Sequence, residues 1–318
     1  MRKSLLFLFL MTSMAVWAQG FTTAKSKLID AEGQVFLIRG MNNPHAWFGE
    51  KAYQALDDIQ AVGCNTLRIV WETKGKDSDL ERIIQRCIEL EMIPMVELHD
   101  VTGNTSGERL AEMASWYAEP ERAKMLQKYE RYLLLNIANE WGSNKTKSDY
   151  WMKSYAQCID IMRKAGYLTT LVIDAPGWGQ NMDPIIECGQ QLIDYDPQHN
   201  ILFSIHMYGS WNKSERIREK LALCHQKELP LIVGEFGYNY RKGLNNLGCK
   251  VDHTAILNTC KELEYGYMPW SWTGNNKANQ WLDLVEPSDW KTLTWWGQQV
   301  ITGQGGITET AKKASVFQ

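Results

Sequence analysis

The chain has 318 residues, 44% hydrophobic and 22% charged, with 34 Lys and Arg against 37 Asp and Glu. A net charge of −3 leaves no basic excess for phosphate contacts, which argues against a nucleic-acid partner or polybasic membrane docking. The seven Cys contain no C-x-x-C pair, which excludes a zinc ribbon or a thioredoxin-like motif.

Residues 1–18 read as an export signal. Arg2 and Lys3 give the basic start, Leu5 to Leu10 the apolar run, and Val16-Trp17-Ala18 the cleavage region. The expected cut follows Ala18, and the expected address is secreted or periplasmic. The apolar run is too short for a bilayer anchor and no second span follows. Residues 19–318 are then expected to form one domain, since no linker, repeat or composition break divides them. Export permits disulfides, but the sequence specifies no pairing. Cys87, Cys158, Cys224 and Cys260 fall in helical patterns and read as small buried hydrophobes.

Apolar runs and amphipathic stretches alternate along the chain. The runs are Val35–Gly40, Asn65–Trp71, Ile93–Leu98, Leu133–Ala138, Thr170–Asp174, Ile201–His206, Leu231–Glu235 and Tyr267–Trp272. Near-continuous apolar character predicts parallel strands buried on both faces. Between the first two runs Ala52, Ala55, Leu56, Ile59 and Val62 follow a helical period. Between the next two, Leu80, Ile83, Ile84, Cys87 and Ile88 do the same. Asp79, Ser148 and Asp183 are the expected N-caps, and Gly63 and Gly166 the left-handed C-caps. Eight such units predict a single α/β domain, a closed (β/α)8 TIM barrel. A doubly wound open sheet is the rival, but no G-x-G-x-x-G follows the first run.

A barrel carries its chemistry at the C-terminal ends of the strands. The runs end at Asn42, Asn43 and His45; Arg68 and Trp71; Glu97, His99 and Asp100; Asn139, Glu140 and Trp141; Asp174 and Trp178; His206 and Tyr208; Glu235; and Trp272. Glu140 and Glu235 close the fourth and seventh runs, nearly opposite each other around a barrel. Two carboxylates facing across the mouth at about 5–5.5 Å would hydrolyse a glycosidic bond with retention, one as nucleophile and one as acid/base. Arg68 would hold the nucleophile ionised. Asn139 would meet a sugar 2-hydroxyl, and Tyr208 would donate to the nucleophile. Trp47, Trp71, Trp141, Trp178 and Trp272 are candidate sugar platforms. Trp270 and the Trp295-Trp296 pair read as core.

These motifs resemble glycoside hydrolase family 5, in the clan with catalytic Glu after strands four and seven. Gly40-Met41-Asn42-Asn43-Pro44-His45-Ala46-Trp47, Glu97-Leu98-His99-Asp100-Val101-Thr102-Gly103, Asp174-Ala175-Pro176-Gly177-Trp178-Gly179-Gln180, Phe203-Ser204-Ile205-His206-Met207-Tyr208 and Gly234-Glu235-Phe236-Gly237 look like its bacterial β-mannanase branch, subfamily 8. The resemblance implies retaining endo-hydrolysis of β-1,4-mannosidic bonds in mannan, galactomannan or glucomannan. Glu235 matches the nucleophile and Glu140 the acid/base. Arg68, His99, Asn139, His206, Tyr208 and Trp272 match positions around the cleaved sugar, and Trp178 an aromatic nearer the leaving group. Where the family often has Asn-Glu-Pro, this chain has Trp141, an added candidate platform.

The choice among mannan, glucomannan and cellulose is not set by these residues alone, so an endo-β-1,4-glucanase of the same family is the alternative. A metal-dependent hydrolase using His45, His99 and His206 would lack both an H-x-H pair on the first strand and an H-E-x-x-H helix. A non-catalytic polysaccharide-binding barrel would not need both carboxylates. No metal, no cofactor and no membrane span is expected, and the acting unit is expected to be a monomer.

Overall fold

The structure, a computed structural model, describes residues 20–240 and 249–318. The expected export signal lies outside the described residues. A hairpin of β1 (Thr22–Ala24) and β2 (Lys27–Ile29) comes first. The barrel strands follow as β3 (Gly40–Asn43), β4 (Thr66–Trp71), β5 (Ile93–Leu98), β6 (Leu134–Asn136), β7 (Leu171–Asp174), β8 (Ile201–Met207) and β9 (Leu231–Phe236). A short hairpin of β10 (Asn239–Tyr240) and β11 (Cys249–Lys250) precedes the last barrel strand, β12 (Gly266–Tyr267). The eight barrel strands pair in parallel in sequence order, and a bridge between Arg39 and Tyr267 joins the two ends. This is the expected (β/α)8 barrel. The connections carry α1 (His45–Gln54), α2 (Leu56–Ala61), α3 (Asp77–Glu89), α4 (Gly107–Tyr117), α5 (Pro120–Gln127), α6 (Ser148–Lys164), α7 (Asp183–Tyr195), α8 (Ser214–Gln226) and α9 (His253–Leu263).

The first and last strands depart from the apolar runs. Residues 35–39 cross the bottom of the barrel, burying Phe36 and Ile38 while Val35 stays exposed, and the sheet begins at Gly40. The last strand stops at Tyr267 because Pro269 has no N–H to continue the ladder. The caps also differ. Asp79 is the third residue of α3, and Ser148 and Asp183 are the first of α6 and α7. There the acids favour the positive end of the helix dipole without capping it. Ser106 and Asp252 are side-chain caps, accepting from Arg109 N–H and Ala255 N–H. Gly63 and Gly166 adopt φ of +94° and +95°, as the C-cap reading requires.

Two apolar layers build the core. The larger lies between the barrel wall and the helices and takes up Leu80, Ile83, Ile84 and Cys87 of α3. The smaller fills the bottom of the barrel, where Met95, Leu134, Val172, Leu202 and Ile232 meet Phe21, Leu28 and Phe36 from the chain's first residues. Both ends of the described chain are tied to this lower face. Ser315 donates its N–H (2.8 Å) and hydroxyl (2.6 Å) to Asp30 Oδ2, and Phe317 stacks on Tyr132. Among the described residues no cysteine is disulfide-bonded, and all but Cys188 are buried. No described helix is long and apolar enough to cross a membrane.

Candidate active site

The strands that point Met95, Leu134, Val172 and Leu202 into the bottom of the barrel point Glu97, Asn136, Asp174 and His206 into its upper half, two or four residues further on. By that count β9 would send Gly234 inward after Ile232, and Glu235 outward. The register shifts between β8 and β9 instead: Ile205 pairs with Val233, and His206 with Glu235. This bulge leaves Gly234 as the extra residue and turns Glu235 into the barrel. A Cβ on Gly234 would stand 2.2 Å from Ser204 Oγ, so any larger residue requires Ser204 to move.

Arg68 lies at the centre of this upper layer. Its guanidinium donates to Glu235 Oε1 (2.9 Å), Asn42 Oδ1 (3.0 Å), Asn136 Oδ1 (2.9 Å) and Asn139 Oδ1 (2.8 Å). Glu97 and Asp174 stand 3.5 Å away. Burial works against its charge, but the carboxylates of Glu97, Glu235, Asp174 and Glu140 outweigh that and raise its pKa. Tyr208 donates its hydroxyl to Glu235 Oε2 at 2.8 Å, so both oxygens of this carboxylate are held. Burial, with Glu140 adding to it, leaves the Glu235 carboxyl above its ordinary range even though His206 and Arg68 pull it down.

Glu140 follows β6 in a left-handed conformation (φ +48°), with its backbone N–H on Asp174 Oδ2 at 3.1 Å. Such a φ at a non-glycine residue costs about 1–3 kcal/mol and persists only where its surroundings impose it. Its Oε1 lies 2.7 Å from His206 Nδ1. Burial disfavours the imidazolium, but Glu235, Asp174 and Glu140 together raise His206 to about 9, so it donates to Glu140 as a cation at neutral pH. One oxygen of Glu140, one of Glu235 and a ring nitrogen of His206 lie within 4.8 Å of one another. Within this trio Glu235 is already ion-paired with Arg68 at 2.9 Å.

Above the pair opens a cleft of about 410 Å³, lined by His99, Asn139, Glu140, Trp178, Gln180, Tyr208, Glu235, Trp270, Asn279 and Leu282. His99 Nδ1 meets Glu97 Oε1 at 3.1 Å, its ring stacks on Trp270, and Trp47 meets it edge-on. Trp178, nearly half exposed, lies between Gly177 and Gly179, and all three have positive φ. A Cβ on Gly179 would stand 2.5 Å from His206 Cγ, so this loop packs directly on the imidazole.

The structure thus brings Arg68, His99, Asn139, Glu140, Trp178, His206, Tyr208 and Glu235 together, with exposed Trp47 at the edge. Four expected residues lie elsewhere. Trp141 is fully buried behind the cleft, packed on Tyr150 and Tyr155, with its indole N–H on Ser106 O. Trp272 is fully buried, with its N–H on Trp290 O. The positions of Trp270 and Trp272 are therefore exchanged relative to expectation, since the strand ends at Tyr267 and its two-residue alternation no longer governs them. Trp295, expected in the core beside Trp296, is exposed, while Trp296 is buried. His45 and Trp71 are buried beside a separate cavity between α1 and α3. Burial lowers His45 to about 3, which keeps it neutral. Sequence reasoning missed Asn136, although a polar residue within an apolar barrel strand is a usable signal. Asn279 and Leu282, at a short 3-10 turn beyond the last strand, gave none.

The family model for cellulase, glycosyl hydrolase family 5, matches residues 29–276. A mannan endo-1,4-beta-mannosidase of Salipaludibacillus agaradhaerens is 35% identical over 305 residues, 94% of this chain and 96% of that protein. One from Cellvibrio japonicus is 32% identical over 317 residues, 97% of this chain and 72% of that protein. The solved β-mannanase of Thermomonospora fusca superposes with a TM-score of 0.87 at 34% identity, covering 94% of this chain and 99% of that one, and has also been solved as a mannotriose complex.

Proposed function

The chain belongs to glycosyl hydrolase family 5, and from that membership we propose that it cleaves internal β-1,4-mannosidic bonds with retention, Glu235 acting as nucleophile and Glu140 as acid/base. The observation that carries this is the carboxylate pair, with oxygens within 4.8 Å across the barrel mouth. Two carboxylates brought this near each other suit direct attack by one of them, as retention requires. Glu235 attacks the anomeric carbon while Glu140 protonates the departing oxygen; Glu140 then takes a proton from the water that releases the glycosyl enzyme. Arg68 and Tyr208 fix both Glu235 oxygens and favour the anion against burial. His206 orients Glu140. Asn139 and His99 face the sugar, and Trp178 and Trp270 offer flat faces to pyranose rings.

The substrate class follows the mannanases to which the chain is similar. Residues 1–18 complete the reading as an export signal; amino-terminal sequencing of the exported protein should begin at Gln19. The deciding experiment compares soluble products from linear mannan, glucomannan and cellulose. Mannan is expected to yield short mannooligosaccharides, with retained anomeric configuration at early times by NMR. Preferential release of glucooligosaccharides from cellulose would overturn the substrate assignment. Reducing sugar released from galactomannan by a Glu235→Ala protein would overturn the nucleophile.

A further inference from the structure

One wall of the cleft is made by residues outside the barrel strands, including a short 3-10 turn at Gln280–Leu282. Trp270 stands beyond the end of β12, and Asn279 and Leu282 sit on the loop that follows. One pair of side chains, Asn275 and Asp283, links Trp270 to this loop. Asp283 Oδ1 accepts from both the backbone N–H (3.1 Å) and the side-chain Nδ2 (2.7 Å) of Asn275, closing the loop between them. Asn275 Nδ2 also donates to Ser271 Oγ at 3.0 Å. Its other amide atom, Oδ1, accepts the indole N–H of Trp270 at 2.8 Å. The loop is further tied to the adjoining chain, since Ser271 N–H donates to Leu282 O (3.2 Å) and the Thr294 hydroxyl to Asp283 O (2.7 Å).

The polarity of this chain of bonds is forced. An ionised carboxylate only accepts, and an indole N–H only donates. Asp283 therefore obliges Asn275 to present its amide nitrogen on one side, which leaves its oxygen for Trp270. Asp283 is 1% exposed, and burial pushes its carboxyl up to about 6, so it is ionised at neutral pH.

We propose that Asn275 and Asp283 form a clasp that positions Trp270 and the Asn279–Leu282 wall for sugar binding. Both are positioning residues, since they act through Trp270 and the loop. The assignment rests on reading the cleft as a polysaccharide site.

The test is a double-mutant cycle of Asn275→Ala and Trp270→Phe, the latter keeping an aromatic ring but not the N–H. KM and kcat are measured on mannohexaose. Mannohexaose affinity is measured by calorimetry with the same changes in a Glu235→Ala background, and thermal midpoints are recorded. Each single change is expected to raise KM and Kd about three- to tenfold, the size of one lost hydrogen bond, with kcat within about twofold. The double variant is expected to be no weaker than the weaker single. Asp283→Asn keeps an accepting oxygen and is expected to stay near wild type, whereas Asp283→Ala should match Asn275→Ala. Multiplying effects in the double variant, or lowered midpoints with KM and Kd unchanged, overturn the clasp. If the wild-type chain cleaves cellohexaose and not mannohexaose, the substrate reading fails, and the same cycle on cellohexaose still decides the clasp.

Discussion

His206 ties the charge of the upper layer to pH. Its folded pKa of about 9 stands above the ordinary 6.5. Between these values the folded chain holds a proton that the unfolded chain has released. This contribution to stability is therefore complete below about pH 6.5 and lost as pH rises through about 9. Thermal midpoints measured from pH 6 to 10 should fall more steeply for wild type than for His206→Gln, and equal slopes would refute the assignment. The left-handed Glu140 admits a sharper test by leaving group. Glu140→Ala should cut turnover on mannan by about 10²–10⁴-fold while sparing glycosylation by activated aryl mannosides, whose leaving group needs no proton; a burst of released phenol reads this step. The residues legible in the sequence are the polar ones that end apolar runs, such as Glu140, His206 and Glu235, because strand ends set their place. Trp141 and Trp272 misled because a tryptophan at a strand exit has two destinations, cleft or core, and the local sequence does not choose between them.

At the scale of the element, β9 shows how one residue redirects a side chain. Six consecutive ladder positions from Leu231 to Phe236 look uniform in sequence, and nothing in their apolar pattern announces the bulge at Gly234. Gly234→Ala would place a methyl against Ser204 and the ring of His206, beside Glu235. It is expected to lower kcat at least tenfold with KM little changed, a loss concentrated in the transition state, alongside about 1–3 kcal/mol of stability. Denaturant titration and initial rates separate the two. Trp141 makes the converse case. Trp141→Phe should cost about 1–3 kcal/mol, from the lost N–H bond to Ser106 O and the volume removed from the core, and leave the distribution of oligosaccharide products unchanged. An altered distribution would return Trp141 to the list of sugar contacts. The central strands, β4 to β9, were readable because burial on both faces leaves long apolar runs. The three-residue strands of the first hairpin were not, since Thr22–Ala24 and Lys27–Ile29 are too short to show a period.

For the whole molecule, closure of the barrel was readable from the count of alternating units, whereas its bottom plug was not, because Phe21, Leu28 and Phe36 lie before the first barrel strand. Among the described residues no disulfide links the chain. With cysteines unpaired and only Cys188 partly accessible, a thiol reagent should label about one group in the native protein and all seven after denaturation, and added reductant should leave the thermal midpoint unmoved. A reductant-sensitive midpoint would contradict this. The chain's two described ends meet around Asp30 and Ser315, on the face away from Glu140 and Glu235. A second protein fused after Gln318 would therefore hang clear of an incoming polymer and leave the catalytic mouth open.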